Sequence, residues 1–87
     1  MQPWRWKGIE LADIFCPEER FQILGIFAER RQLLPFEILM LKDEIPNAQP
    51  HLDFFEDIGF LERMSDGTYI LRLEDAFVRA VKDLFDI

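Results

Sequence analysis

One cysteine and one histidine are the only thiol and imidazole ligands in the chain. Cys16 stands before Pro17 at an expected helix start, a position that can lower a thiol pKa. A small buried apolar residue is its simpler role. His51 also falls at an expected helix N-terminus, where the dipole opposes protonation and hydrogen bonding at the turn is the preferred role. A structural zinc site takes four ligands and a catalytic one three, so one Cys and one His far apart cannot build either within one chain. Neither residue has a partner base or nucleophile at a spacing that would activate it. Gly8, Gly25, Gly59 and Gly67 are scattered, which rules out a glycine-rich phosphate loop. The residue types therefore argue against catalysis, and they imply no cofactor and no metal.

The remaining chemistry is recognition, and charge decides its kind. Seventeen acids against ten bases give a net charge of −7, which a homodimer would double. Nucleic-acid binders neutralise phosphates and are usually basic on at least one face. Here the densest cationic spots are only Arg5 with Lys7 and Arg30 with Arg31. Trp4 and Trp6 next to Arg5 and Lys7 could stack bases while the cations hold phosphates. Packing of that arm onto the domain or a partner subunit is the preferred reading of the tryptophans. Arg30 and Arg31 fit the negative end of a helix better than a phosphate clamp.

These residues must be positioned by a small, dense fold. Eighty-seven residues allow one domain, with an N-terminal arm over 1–8 and a terminal helix over 74–87. A hydrophobic fraction of 49% excludes a disordered chain. No apolar run approaches the ~20 residues of a membrane span. The opening MQPWRWKGIE has no apolar signal core, and a lone cysteine suits a reducing compartment, so a cytoplasmic location is expected.

Along the chain, residues 9–15 predict a short first helix, with an extended edge as the other reading of the Trp-Arg-Trp-Lys alternation. Pro17 is expected at the first position of a second helix, followed by Glu18 and Glu19 at its positive end. Phe21, Leu24, Phe27 and Ala28 mark its inward stripe. Gly25, costing ~1 kcal/mol against alanine in mid-helix, predicts close helix packing. Pro35 starts a third helix carrying Ile38, Leu39, Met40 and Leu41, and residues 46–49 connect it to a fourth. In that fourth helix Pro50 suits the first turn, Leu52, Phe55 and Ile58 recur at helical spacing, and Gly59 supplies the stop. Asp66-Gly67 between two strand-like runs predicts a hairpin whose turn residues tolerate positive φ. Asp75 can cap a last helix whose apolar Phe77, Val78, Val81, Leu84 and Phe85 form one broad face. The pattern predicts a mostly helical α+β fold: a winged helix-turn-helix with a two-stranded hairpin wing and a C-terminal amphipathic helix.

In this order of elements the chain resembles the ArsR-type winged-helix repressors. LADIFCPEERFQIL over 11–24 resembles the segment ahead of that family's helix-turn-helix. His51, Leu52, Phe55, Gly59, Phe60 and Leu61, then Asp66-Gly67 and Tyr69, match the motif that opens its recognition helix and runs into its wing. The resemblance implies a winged-helix fold and a DNA-binding transcription regulator, with contacts drawn from Arg5, Lys7, Gln49, His51, Arg63 and Arg72. The chain departs from the family where contact matters. Gln49 and Pro50 replace small polar residues, and from 47 to 68 five acids, Asp53, Glu56 and Asp57 among them, face one base, Arg63. Carboxylates can read only cytosine amino groups and are repelled by phosphates. The paired Cys and His ligands of metal-sensing members are absent. The expected function is therefore a non-enzymatic winged-helix interaction module. Its contacts would be a homodimer or a basic protein partner, through Trp4, Trp6, Asp53, Glu56, Asp57, Phe77, Val81, Leu84 and Phe85. The DNA-binding regulator is the alternative, and mimicry of DNA by the acidic surface a minor one.

Overall fold

The longest helix carries apolar side chains every three or four positions, and the other elements assemble on that stripe. The computed structural model describes residues 5–86. A two-stranded antiparallel ribbon comes first, β1 (Arg5–Trp6) against β2 (Ile9–Glu10), so the extended reading holds for the arm and the first helix shrinks to α1 (Leu11–Phe15). Trp4 lies outside the described residues.

Helix α2 (Glu18–Arg30) begins one residue later than expected, with Pro17 as its N-cap rather than its first helical residue. Ile23, Leu24, Phe27 and Ala28 are buried along it. Phe21 is not part of that stripe: it is half exposed and meets Phe85 at 5.1 Å and Phe15 at 6.4 Å between ring centroids. Gly25 has the close contact its position predicts, since a Cβ there would lie 3.4 Å from the ring of Phe85 on the last helix. Arg31 turns the chain at φ +70°, its N–H bonded to the Phe27 carbonyl at 2.7 Å.

That turn leads into β3 (Gln32–Leu33), an element too short to show a period and not anticipated. Helix α3 (Pro35–Glu44) follows with proline at its first position, and the Glu37 carboxylate accepts from the Leu34 N–H at 3.0 Å. Ile38 and Leu41 are buried, as is Ile45 just beyond. Helix α4 (Ala48–Asp57) starts two residues ahead of Pro50, with Asn47 at φ +62° making the corner. Pro50 still occupies the first turn, where a missing N–H leaves nothing unpaired. Gly59, at φ +88°, ends the helix. The N–H of Phe60 reaches the Phe55 carbonyl (2.9 Å) and that of Gly59 the Glu56 carbonyl (3.1 Å), the two bonds of a Schellman motif.

The chain then forms β4 (Leu61–Arg63) and β5 (Tyr69–Leu71), paired Leu61 to Leu71 and Arg63 to Tyr69. The hairpin turn differs from the expected one: only Gly67 has positive φ. Its N–H bonds to the Met64 carbonyl at 3.0 Å and Met64 N–H to Thr68 at 2.7 Å, a tight turn closed by one glycine. The sheet has three strands rather than two, ordered β3-β5-β4, all antiparallel. Last comes α5 (Ala76–Leu84), capped by Asp75, whose Oδ1 accepts from the Phe77 N–H (2.8 Å) and the Val78 N–H (3.3 Å).

The buried side chains of α2, α3, α4, α5 and the sheet form one core, with Phe27, Phe55 and Phe60 its largest fully enclosed residues. The result is a small α+β fold of five helices and a three-stranded sheet among the described residues, with the short β1–β2 ribbon beside it. Helix α3 is the exception to one-sided burial. Alongside inward Ile38 and Leu41 it turns Phe36, Leu39 and Met40 to solvent. Leu41→Ala is expected to cost about 2–5 kcal/mol, as core leucines do, while Leu39→Ala, two positions away, should fall within about 0.5 kcal/mol. Urea unfolding of the two variants checks it, and equal losses would mean α3 is rotated from the orientation described.

Candidate interaction surfaces

Trp6 is held by aromatic packing within the chain. Its ring stacks on Phe77 at 4.8 Å and 14° and meets Phe60 edge-on at 4.9 Å. Phe60 in turn lies against Phe55 (5.9 Å) and Phe77 (6.0 Å), so arm, hairpin and terminal helix share one aromatic cluster. The packing reading of Trp6 is therefore realised on its own domain, and its indole is not a free stacking platform. The same packing corrects the terminal-helix surface. Val81 is buried, Phe77 lies under Trp6, and Phe85 closes over Gly25 and Phe21. Of that set only Leu84 is left exposed. The broad apolar face of α5 is covered by the chain's own core because α2 has no side chain at Gly25 to hold it off.

On α4, Asp53 and Asp57 are exposed and Glu56 is half-buried. Asp53 accepts from the Gln49 amide at 2.8 Å, and Gln49 also reaches the Tyr69 hydroxyl at 3.4 Å. Glu56 lies 3.8 Å from the Arg63 guanidinium. The acidic character expected of this side is thus present, and the one base beside it is engaged by a carboxylate.

The cations of the alternative reading are not gathered. Lys7 sits 4.5 Å over the Trp6 ring and 3.9 Å from Asp75. Arg72 donates to Glu74 at 2.7 Å, a contact that holds the guanidinium above its ordinary pKa. Glu74 is held below the usual carboxylate range by its own backbone N–H and by Arg72. Arg30 is bound to Glu37, and Lys82 to Asp86 at 2.8 Å. Arg5 contributes a strand residue, and its side chain lies outside the described set. Among the described residues Arg20, Arg31, Lys42 and Arg79 are the cations whose side chains make no ion pair: Arg20 stands on α2, Arg31 in the turn before β3, Lys42 on α3 and Arg79 on α5.

His51 turns inward, away from the outer side of α4. Its Nδ1 accepts from the Arg20 Nε–H at 3.1 Å, which leaves the ring proton on Nε2, 3.9 Å from Glu19. The Arg20 guanidinium also lies 3.7 Å over the Phe54 ring and donates to the Asp13 carbonyl. The histidine therefore ties α4 to α2 rather than capping its own turn. Cys16 is exposed, contrary to the buried role expected, because it falls in the bend between α1 and α2. No group of three His, Cys, Asp or Glu side chains among the described residues could hold a metal ion, and no helix there is long and apolar enough to cross a membrane.

The surface that sequence reasoning missed is the outer side of α3. Phe36 is 60% exposed, Leu39 68% and Met40 59%, with Leu34 also exposed at the helix start. The available signal was an excess: Phe36, Ile38, Leu39, Met40 and Leu41 surround the helix, more than one inward stripe requires. Two shallow grooves flank this side. One runs between α2 and α3, past Arg30, Leu33, Phe36, Met40 and Glu44; its continuation passes Ile26, Glu29 and Glu44. The other lies towards the hairpin, where Leu39, Lys42, Gln49, Arg63 and Tyr69 meet.

Comparison with protein-family models, with curated proteins and with solved structures found no match to this chain.

The hairpin tip yields a pH test. Asp66 accepts from the Thr68 N–H at 2.9 Å, and that bond holds its carboxyl below the ordinary value of 3.8. A depressed carboxylate contributes stability fully above its unfolded pKa and loses it as pH falls through the folded one. Asp66→Asn keeps an acceptor but cannot titrate. Its urea midpoint should drop less than that of the parent chain between pH 5 and pH 2. Identical acid profiles would show that this carboxylate is not coupled to folding.

Proposed function

We propose that the chain is a winged-helix module that acts through protein–protein contacts and performs no catalysis. In this reading α3 and α4 are the helix-turn-helix pair, β4 and β5 the wing, and β3 the short strand that completes the sheet. The observation that carries the functional part is electrostatic. On the side where such a fold would meet a phosphate-walled groove, Asp53, Asp57 and Glu62 are exposed, and Arg63 is paired with Glu56. Stable DNA binders make ~6–10 phosphate contacts. Lys7, Arg63 and Arg72 each already face a carboxylate. A net charge of −7 favours a basic protein partner and disfavours anionic ones, chiefly through association rate.

The second reading, a DNA-binding regulator of the ArsR-like type, is favoured by one observation. Lys42, Gln49 and Arg63 line the same depression at the start of α4, where a recognition helix would enter the groove. Two cations and one amide make a small footprint against the charge around them. The purified chain is expected to give no mobility shift of duplex DNA at about 50 mM salt, where counterion release would favour binding most. A shift that disappears steeply as salt is raised would replace the protein-partner reading with the DNA-binding one.

A further inference from the structure

The outer side of α3 is apolar at one end and acidic at the other. Phe36, Leu39, Met40, Asp43 and Glu44 stand at i, i+3, i+4, i+7 and i+8, so they share one face of the helix. From Phe36 to Glu44 the face is ~12 Å long at 1.5 Å per residue, about two turns of a helix laid alongside it. Glu29, at the end of α2, lines the groove together with Glu44. Glu37 is occupied by Arg30. Glu29, Asp43 and Glu44 are exposed and their side chains make no ion pair among the described residues.

We infer that this face is the docking site for a basic amphipathic helix of a partner protein. Its apolar side chains would lie over Phe36, Leu39 and Met40, and its Lys or Arg residues would reach Glu29, Asp43 and Glu44. Charge selects this occupant over a second copy of the chain. Pairing two such faces in parallel would bring the same carboxylates together, and pairing them antiparallel would set those carboxylates over the apolar end of the other copy, so neither arrangement gives them a cation from the same face. Carboxylates at the rim also oppose an anionic membrane surface. Methionine and phenylalanine suit the apolar end, since an unbranched thioether adapts its shape and an aromatic ring buries a large area. The inference rests on the protein-interaction reading and adds to it the place and the chemistry of the partner.

The probe is a synthetic helical peptide with leucine on one face and lysine elsewhere, labelled for fluorescence anisotropy. A second peptide carries glutamate in place of lysine. The full chain should bind the lysine peptide, more weakly as salt is added, with amide shifts centred on α3 and the end of α2. Phe36→Ser with Met40→Ser, both exposed positions, should weaken binding about tenfold or more, as loss of an apolar anchor pair does. Asp43→Lys with Glu44→Lys should weaken the lysine peptide and give affinity for the glutamate peptide. Equal binding of the two peptides, shifts centred on Leu84 or Trp6, or no binding of the lysine peptide would each overturn the inference. So would a homodimer in light scattering that Phe36→Ser dissolves. None of these results produces a DNA mobility shift, so failure of the docking site and failure of the protein-interaction reading remain distinguishable.

Discussion

The turn at Gly59 holds the molecule together because it delivers Phe60 to the middle of the core. Two backbone bonds end α4 there, and a positive φ that suits glycine reverses the chain. Phe60 then touches Phe55 of the helix just completed, Phe77 of the last helix and Trp6 of the first ribbon. One residue thus connects elements from both ends of the chain. A domain of this size buries a smaller fraction of its surface than a large one, so it depends on a few large side chains that several elements share. Removing the ring of Phe60 would leave α4, α5 and β1 facing a common void.

The second constraint is the excess of acid. The fold sets carboxylates beside five of its cations and leaves Glu29, Asp43 and Glu44 unpaired, among the described residues, at the rim of α3. Lys7, Arg30, Arg63, Arg72 and Lys82 each end beside an Asp or Glu. Such exposed pairs contribute little to stability, yet they determine what the surface offers. Cations already beside carboxylates are poor phosphate ligands, and the remaining acids set the sign of the field. The apolar outer side of α3 stands apart from this pattern, because a helix at the edge of a small fold has no neighbour to cover a second stripe.

Much of the architecture was legible in the sequence because its signals are local. Pro35 at a helix start, Gly59 at a helix stop, Asp75 as a cap and Gly67 in a hairpin are each dictated by backbone chemistry within a few residues. Gly25 was legible as close packing, although its partner, Phe85, was not. Long-range facts were invisible: two-residue β3 has no period, and its pairing with β5 depends on chain that lies far downstream. Burial was the least legible property. Phe21, Leu39 and Met40 read as core by type and stand exposed, whereas the apolar stripe of α5, readable as a seam between copies, is filled from within. Side-chain type reports what would prefer to be covered; only the assembled neighbours decide what is.

The order of strands has a temporal consequence. The middle strand of the sheet, β5, is the last of the three to be synthesised, and both outer strands bond to it rather than to each other. Gln32 waits for Ile70, and the Arg31 carbonyl waits for the Leu71 N–H. Closing so long a loop is entropically slow. On the ribosome, α2 and α3 would therefore emerge with their connecting strand β3 unpaired, and β3 would join the rest of the sheet only when the hairpin closes. A chain interrupted before residue 69 would lack both β5 and α5, and with β5 the strand that joins β3 to β4.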